Sequence, residues 1–182
     1  MELDDRIVDA LVARRARATF FVSGRWARAQ PDAVRRLAAE PLFELGNHSF
    51  HHPHLATLAD DAVRDELVAT DDALRELGAP TPRVFRAPFG EVDARIARIA
   101  GDVGLATIQY DVVSGDPGAG ASKAELVRTV LERARPGSIV IMHANHRRFA
   151  TADAVPEIVE GLRARGLELV TVSELLAVER GR

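Results

Sequence analysis

Residues 42–55, LFELGNHSFHHPHL, decide how the chain is read. The stretch begins as a strand, with Phe43 and Leu45 alternating against polar neighbours, and it ends in histidines. His48, His51, His52 and His54 are four of only six histidines in 182 residues. A strand that delivers such side chains at its carboxyl end has the form of a βα unit, in which the loops after the strands carry function.

Outward from that stretch the same alternation repeats. Helical spacing over Asp5–Ala16 precedes ATFFVSG (18–24), whose aromatic and β-branched content reads as a strand. Pro31–Ala39 reads as a helix with proline in its first turn. Downstream, Asp60–Leu77 is a long amphipathic helix ended by Gly78, and RVFRAPFG (83–90) is a short strand. A helix over Asp93–Asp102 leads to LATIQYDVV (105–113), one strand by its composition. Lys123–Ala134 is helical, PGSIVIMH (136–143) is a buried strand, Ala154–Arg165 is a helix and LELVTV (167–172) is a last strand. Strands alternating with helices give a parallel sheet. The expected fold is α/β, with the strands closing into a barrel-like arrangement in a single domain over residues 1–182.

Composition narrows the class. Hydrophobic residues make up 47% and charged residues 28%, the balance of an ordinary globular protein. A formal charge of −3 without a long basic run gives no electrostatic case for nucleic acid. No apolar stretch approaches the ~20 residues of a membrane helix. No charged-then-apolar leader follows Met1, so no secretion signal is expected. With no cysteine, disulfides and thiolate ligands are excluded, and metal binding falls to histidines and carboxylates.

The predicted strands end in chemistry: His48 and Ser49, Arg86 and Pro88, Asp111 and Asp116, and His143. The plainer account is that polar residues mark where strands stop. Yet His48 and His52 are four apart, and one helical turn would set both rings on one face, a spacing suited to a divalent ion. His51 would then point elsewhere, and Pro53 would stop the turn. A catalytic metal takes about three protein ligands and an open position, so the pair calls for a third donor, most naturally a carboxylate. His143, held at the end of an apolar strand, is either a general acid or a core histidine satisfied by backbone.

These residues together resemble the polysaccharide deacetylases, the NodB-homology domain of carbohydrate esterase family 4. The family's H-[ST]-x-x-H pattern appears as His48, Ser49 and His52, followed by Pro53, His54 and Leu55. Its R-P-P-[YF]-G pattern appears as RAPFG, Arg86–Gly90, and its L-x-H pattern as Ile141–His143 behind PGSIV. The resemblance implies a distorted (β/α) barrel and a metal-dependent hydrolase that removes acetyl groups from a carbohydrate. It implies that His48 and His52 hold a divalent cation, usually zinc, sometimes cobalt or nickel. His143 would be the general acid, Arg86 would orient the base, and Asp116 would tune the acid. Phe89 would donate its backbone N–H to the oxyanion, while Ile141 and Pro88 line the substrate pocket. The partner implied is an acetylated oligo- or polysaccharide, with Trp26, Phe50, Phe89 and Tyr110 as candidate stacking rings. The alternatives are a carbohydrate- or metal-binding domain without catalysis, or a same-fold hydrolase of a non-sugar amide.

Two departures stand out. The family's D-x-x-D-W pattern is here VSGDP, Val113–Pro117, so Val113 and Pro117 replace an aspartate and the tryptophan, leaving Asp111 as another candidate. The family's first strand, ending in an Asp-Asp pair that supplies the base and a metal ligand, should lie before the first helix. Asp4 and Asp5 abut that helix and are expected to cap it. The expectation is therefore that the first strand and both carboxylates are missing from this chain. The resemblance then points to a secreted or cell-envelope protein if a leading segment is missing, and otherwise to the cytoplasm.

Overall fold

A computed structural model describes residues 2–118 and 120–180, with Met1, Ala119, Gly181 and Arg182 outside the described residues. The chain divides into two compact units, one continuous (Thr19–Gln109) and one assembled from Met1–Ala18 and Tyr110–Arg182.

The continuous unit carries a parallel sheet of four strands. They are β1 (Ala18–Val22, its first residue apart), β2 (Phe43–Asn47), β3 (Val84–Phe85) and β4 (Ala106–Thr107), in that spatial order. β2 registers Asn47 on Phe85 of β3, and β3 registers Phe85 on Thr107 of β4. Helices α2 (Gly24–Ala29), α3 (Pro31–Ala39), α4 (Asp60–Glu76) and α5 (Ala94–Asp102) make the crossovers. Val63 and Leu67 of α4 and Ile96 and Ile99 of α5 face Phe85 and Leu55 in one core. Phe85 is fully buried, and burying a side chain of that size contributes about 1.5–3 kcal/mol. Gly46 is dictated by closeness: a Cβ there would lie 2.7 Å from the Phe21 ring and 3.1 Å from Val84.

The second unit has a parallel pair, β5 (Val112–Val113) and β6 (Val140–Ile141), registered Val112 on Val140. Around it are α1 (Asp5–Ala13), α6 (Lys123–Arg133), α7 (Thr151–Ala164) and α8 (Val172–Arg180). α6 opens with a capping box: Ser122 Oγ accepts from the Glu125 N–H while the Glu125 carboxylate accepts from the Ser122 N–H. Leu126, Val127 and Val130 of α6 pack on Ile158 and Leu162 of α7. α1 buries Ile7, Val8 and Leu11, and Arg163 of α7 donates to the carbonyls of Arg14 and Arg15 that α1 leaves open at its end.

Three expectations change. LATIQYDVV is two strands, β4 and β5, in different sheets. Its middle leaves the ladder because Asp111 turns its carboxylate onto the Ile139 N–H (2.6 Å) and the Ser138 hydroxyl (2.7 Å). LELVTV is not a strand: Thr171 and Glu174 exchange side-chain and backbone hydrogen bonds, which starts α8 instead. The six-residue α2 follows β1 where no helix was expected.

Candidate active site

The continuous unit holds the histidine loop. β2 ends at Asn47, and His48 follows with its N–H bonded to Val22 O. No helical turn joins His48 to His52, contrary to the expectation. Ser49 and His52 both have φ +61°, a left-handed backbone that folds the loop back on itself, and Ser49 Oγ accepts from the His52 N–H at 3.1 Å. The two rings nonetheless meet edge to face with centroids 4.9 Å apart. His48 Nδ1 lies 2.7 Å from the Arg86 carbonyl. A carbonyl only accepts, so Nδ1 carries the proton, the orientation that metal-ligating histidines adopt.

Arg86 and Pro88 follow β3. Arg86 is buried, its backbone N–H bonds Asn47 O, and its guanidinium carbon sits 4.1 Å from the centre of the Phe21 ring. Its carbonyl, rather than its charge, is what fixes His48. Pro88 is buried, whereas Phe89 is 55% exposed with φ +59°. The Phe89 ring stacks on His54 at 4.1 Å and meets the edge of His52 at 4.7 Å. His54 is in turn bonded to Glu91 at 2.9 Å.

The second unit holds an aspartate–histidine pair. Asp116, 2% exposed, follows β5, and His143 follows β6. Asp116 Oδ1 lies 2.9 Å from His143 Nδ1 and accepts from Ser114 Oγ at 3.1 Å; Oδ2 accepts from the His143 N–H at 2.5 Å and from Thr151 Oγ1 at 2.8 Å. Burial pushes this carboxyl up, but the His143 side-chain and backbone hydrogen bonds, its charge and Thr151 outweigh it and hold the pKa below the usual carboxylate value. With Nδ1 committed to Asp116, Nε2 is the nitrogen left to act, on a ring 42% exposed. Ile141, in β6, is half-buried two residues earlier. Asp111, the other candidate, bonds the 138–139 turn instead and does not serve His143.

Asp4 is the N-cap of α1: it accepts from the Arg6 N–H at 3.2 Å and pairs with the Arg6 guanidinium at 2.7 Å. The side-chain hydrogen bond from Arg6 lowers its pKa. Its backbone N–H bonds Ala144 O, the residue after His143. Asp5 occupies the first turn.

A sequence model of the family described as polysaccharide deacetylase matches residues 1–108. The chain belongs to the polysaccharide deacetylase family. A peptidoglycan-N-acetylglucosamine deacetylase of Bacillus cereus is 29% identical over 185 aligned residues, which cover 100% of this chain and 66% of that protein. The chain thus spans just under two thirds of that relative's length. A family 4 carbohydrate esterase from Streptomyces lividans, solved in complex with acetate, superposes with TM-score 0.83 at 31% identity over 90% of this chain and 83% of that one. A family 4 pseudoenzyme from Bacillus anthracis superposes with TM-score 0.88 at 29% identity, covering 94% of this chain and 59% of that one. The fold is therefore the α/β fold of these deacetylases, α/β as the alternating strands and helices predicted and of this type as the resemblance implied.

Polysaccharide deacetylases as a family imply a divalent metal, and the histidine pair fits as two of its ligands, since His48 is oriented through Nδ1 by the Arg86 carbonyl and the His52 ring lies beside it. Among the described residues no three of His, Asp or Glu gather as a cation site, so the pair accounts for two ligand positions and no more. Sequence reasoning missed Asn47 and Glu66, which bond the loop backbone at Ser49, Phe50 and His51. Neither carries a motif signal, because each acts through backbone N–H groups.

Proposed function

We propose that this protein is a hydrolase that removes acetyl groups from an acetylated carbohydrate, an amino-sugar oligomer or polymer. The observation that carries the reading is the pairing of an oriented histidine couple with a separately oriented aspartate–histidine pair, on a chain of this family. His48 and His52 hold a divalent cation, most naturally zinc, through two imidazole nitrogens. A cation bound there supplies Lewis-acid polarisation of the acetyl carbonyl and activation of water. The Phe89 N–H adds a donor for the oxyanion, and Pro88 and Ile141 each offer apolar surface to the substrate. His143, as the imidazolium, gives its Nε2 proton to the departing amine or alcohol, and the ionised Asp116, accepting from Nδ1–H throughout, holds the ring in place.

A second reading, carbohydrate or cation binding without turnover, draws on the absence of a third donor among the described residues and on the likeness to a pseudoenzyme. One experiment separates them: acetate release from N-acetylated chitooligosaccharides, with zinc content measured on the same samples. Acetate release lost in His48→Ala and His52→Ala together with the zinc, and lost in His143→Ala with the zinc retained, is the expected result. Zinc binding with no acetate release from any acetylated glycan tested would leave the binding reading. Zinc lost on His143→Ala would overturn the division of roles.

A further inference from the structure

The histidine loop carries backbone strain that something must hold. Ser49 and His52 are β-substituted residues in a left-handed conformation, which persists where the surroundings over-determine it. The N–H groups of the turn and two of its carbonyls have partners within the continuous unit. The Ser49 N–H donates to Asn47 Oδ1 at 2.9 Å, and Ser49 O accepts from the Gly24 N–H at 3.1 Å. Phe50 O accepts from the Arg25 N–H at 2.9 Å. The remaining donors converge on one side chain from another element. Glu66 Oε2 accepts from the N–H groups of Phe50 (2.9 Å) and His51 (2.8 Å), and Oε1 lies 2.6 Å from His51 Nδ1.

Glu66 sits on α4 one residue before Leu67, which is fully buried in the core, and its own side chain is 11% exposed. A carboxylate so placed is fixed by the helix rather than by the loop. We propose that Glu66 is a positioning residue: it clamps residues 50 and 51 to α4 and so presets the separation of His48 and His52 before any cation arrives. This rests on the cation reading above for its purpose but not for its geometry. Groups that orient ligands from behind typically change metal affinity ~10–100-fold when removed.

The test uses Glu66→Ala, Glu66→Gln and, as a control of comparable fold damage elsewhere on α4, Val63→Ala. Zinc affinity is measured by calorimetric titration of the full chain, and amide exchange over residues 48–54 is measured on the same proteins with chelator present. The expected result is zinc binding ~10-fold or more weaker in Glu66→Ala, with faster exchange confined to the loop. Glu66→Gln keeps an oxygen for both N–H groups and should restore both readings, while Val63→Ala should lower the melting temperature and leave both unchanged. Unchanged loop exchange in Glu66→Ala overturns the clamp. So does a zinc affinity lowered no more than in Val63→Ala. A parent protein that binds no zinc overturns the cation reading, and the chelated exchange experiment still decides the clamp.

Discussion

Replacing Asp116 should be among the costliest changes this chain can suffer outside its core. The buried carboxylate accepts hydrogen bonds from the His143 N–H, His143 Nδ1, Ser114 Oγ and Thr151 Oγ1. Asp116→Ala strands those donors. The two hydroxyls can rotate toward other partners, but the His143 N–H is fixed by the backbone, and a buried donor left unsatisfied costs about 1–3 kcal/mol. His143 is partly exposed, so water recovers a share of its loss. The total comes to about 2–4 kcal/mol, below the range for breaking a fully buried pair because one partner is partly exposed. Asp116→Asn keeps the shape and one acceptor oxygen, and should cost about 1–3 kcal/mol. Denaturant unfolding at pH 7 measures both. The acid limb supplies a second reading. Because the folded pKa is depressed, the carboxylate's stabilisation is present above the unfolded value of about 3.9 and is lost as pH falls through the lower folded value. The gap between the parent and Asp116→Asn should therefore narrow as pH drops below about 4. A cost under about 1 kcal/mol for Asp116→Ala, or a gap constant from pH 7 to pH 3, would refute the four-donor account.

Two further changes test the frame around the site. Gly46→Ala drives a Cβ to 2.7 Å from the Phe21 ring, the same ring that lies under the Arg86 guanidinium. It should cost about 1–3 kcal/mol by overpacking, read as a lowered unfolding midpoint, and a neutral result would show that the ring moves freely. Asp4→Ala removes the α1 cap and the Arg6 partner, for a loss of about 1 kcal/mol in thermal unfolding. Asp4→Asn should recover most of it; failure to do so would assign the effect to the ion pair rather than the cap.

The long, strongly patterned elements were legible in the residues: Pro31–Ala39 has the bounds its proline start predicts, and α4 differs from its predicted span by one residue. That His48, Arg86 and His143 follow strands was legible too, because polar side chains follow short apolar runs. What failed had competing local chemistry. Val170 and Val172 have strand propensity, but Thr171 and Glu174 form a capping pair whose T-x-x-E spacing was readable and outweighed it. Residues 105–113 look uniform to a propensity scale, yet Asp111 diverts them through contacts 27 and 28 residues away. The histidine pair was anticipated through helical periodicity and reached through left-handed residues instead, a geometry set by Asn47, Ser49 and Glu66 rather than by spacing.

The bond from the Asp4 N–H to Ala144 O joins backbone segments 140 positions apart, within a unit whose two pieces are separated in sequence by the whole of residues 19–109. Closing a loop of that length costs several kcal/mol of chain entropy before the Asp116–His143 pair gains anything from it. The continuous unit closes shorter loops, Asn47 onto Phe85 for example, at a somewhat smaller cost, about 0.6 kcal/mol less for each halving of length. On a ribosome, the whole continuous unit is free to fold once Gln109 has emerged, while Asp116, His143 and α7 have yet to leave the exit tunnel. The unit that carries the histidine loop thus has the means to fold first, and the unit that carries Asp116 and His143 closes its longer loop afterwards.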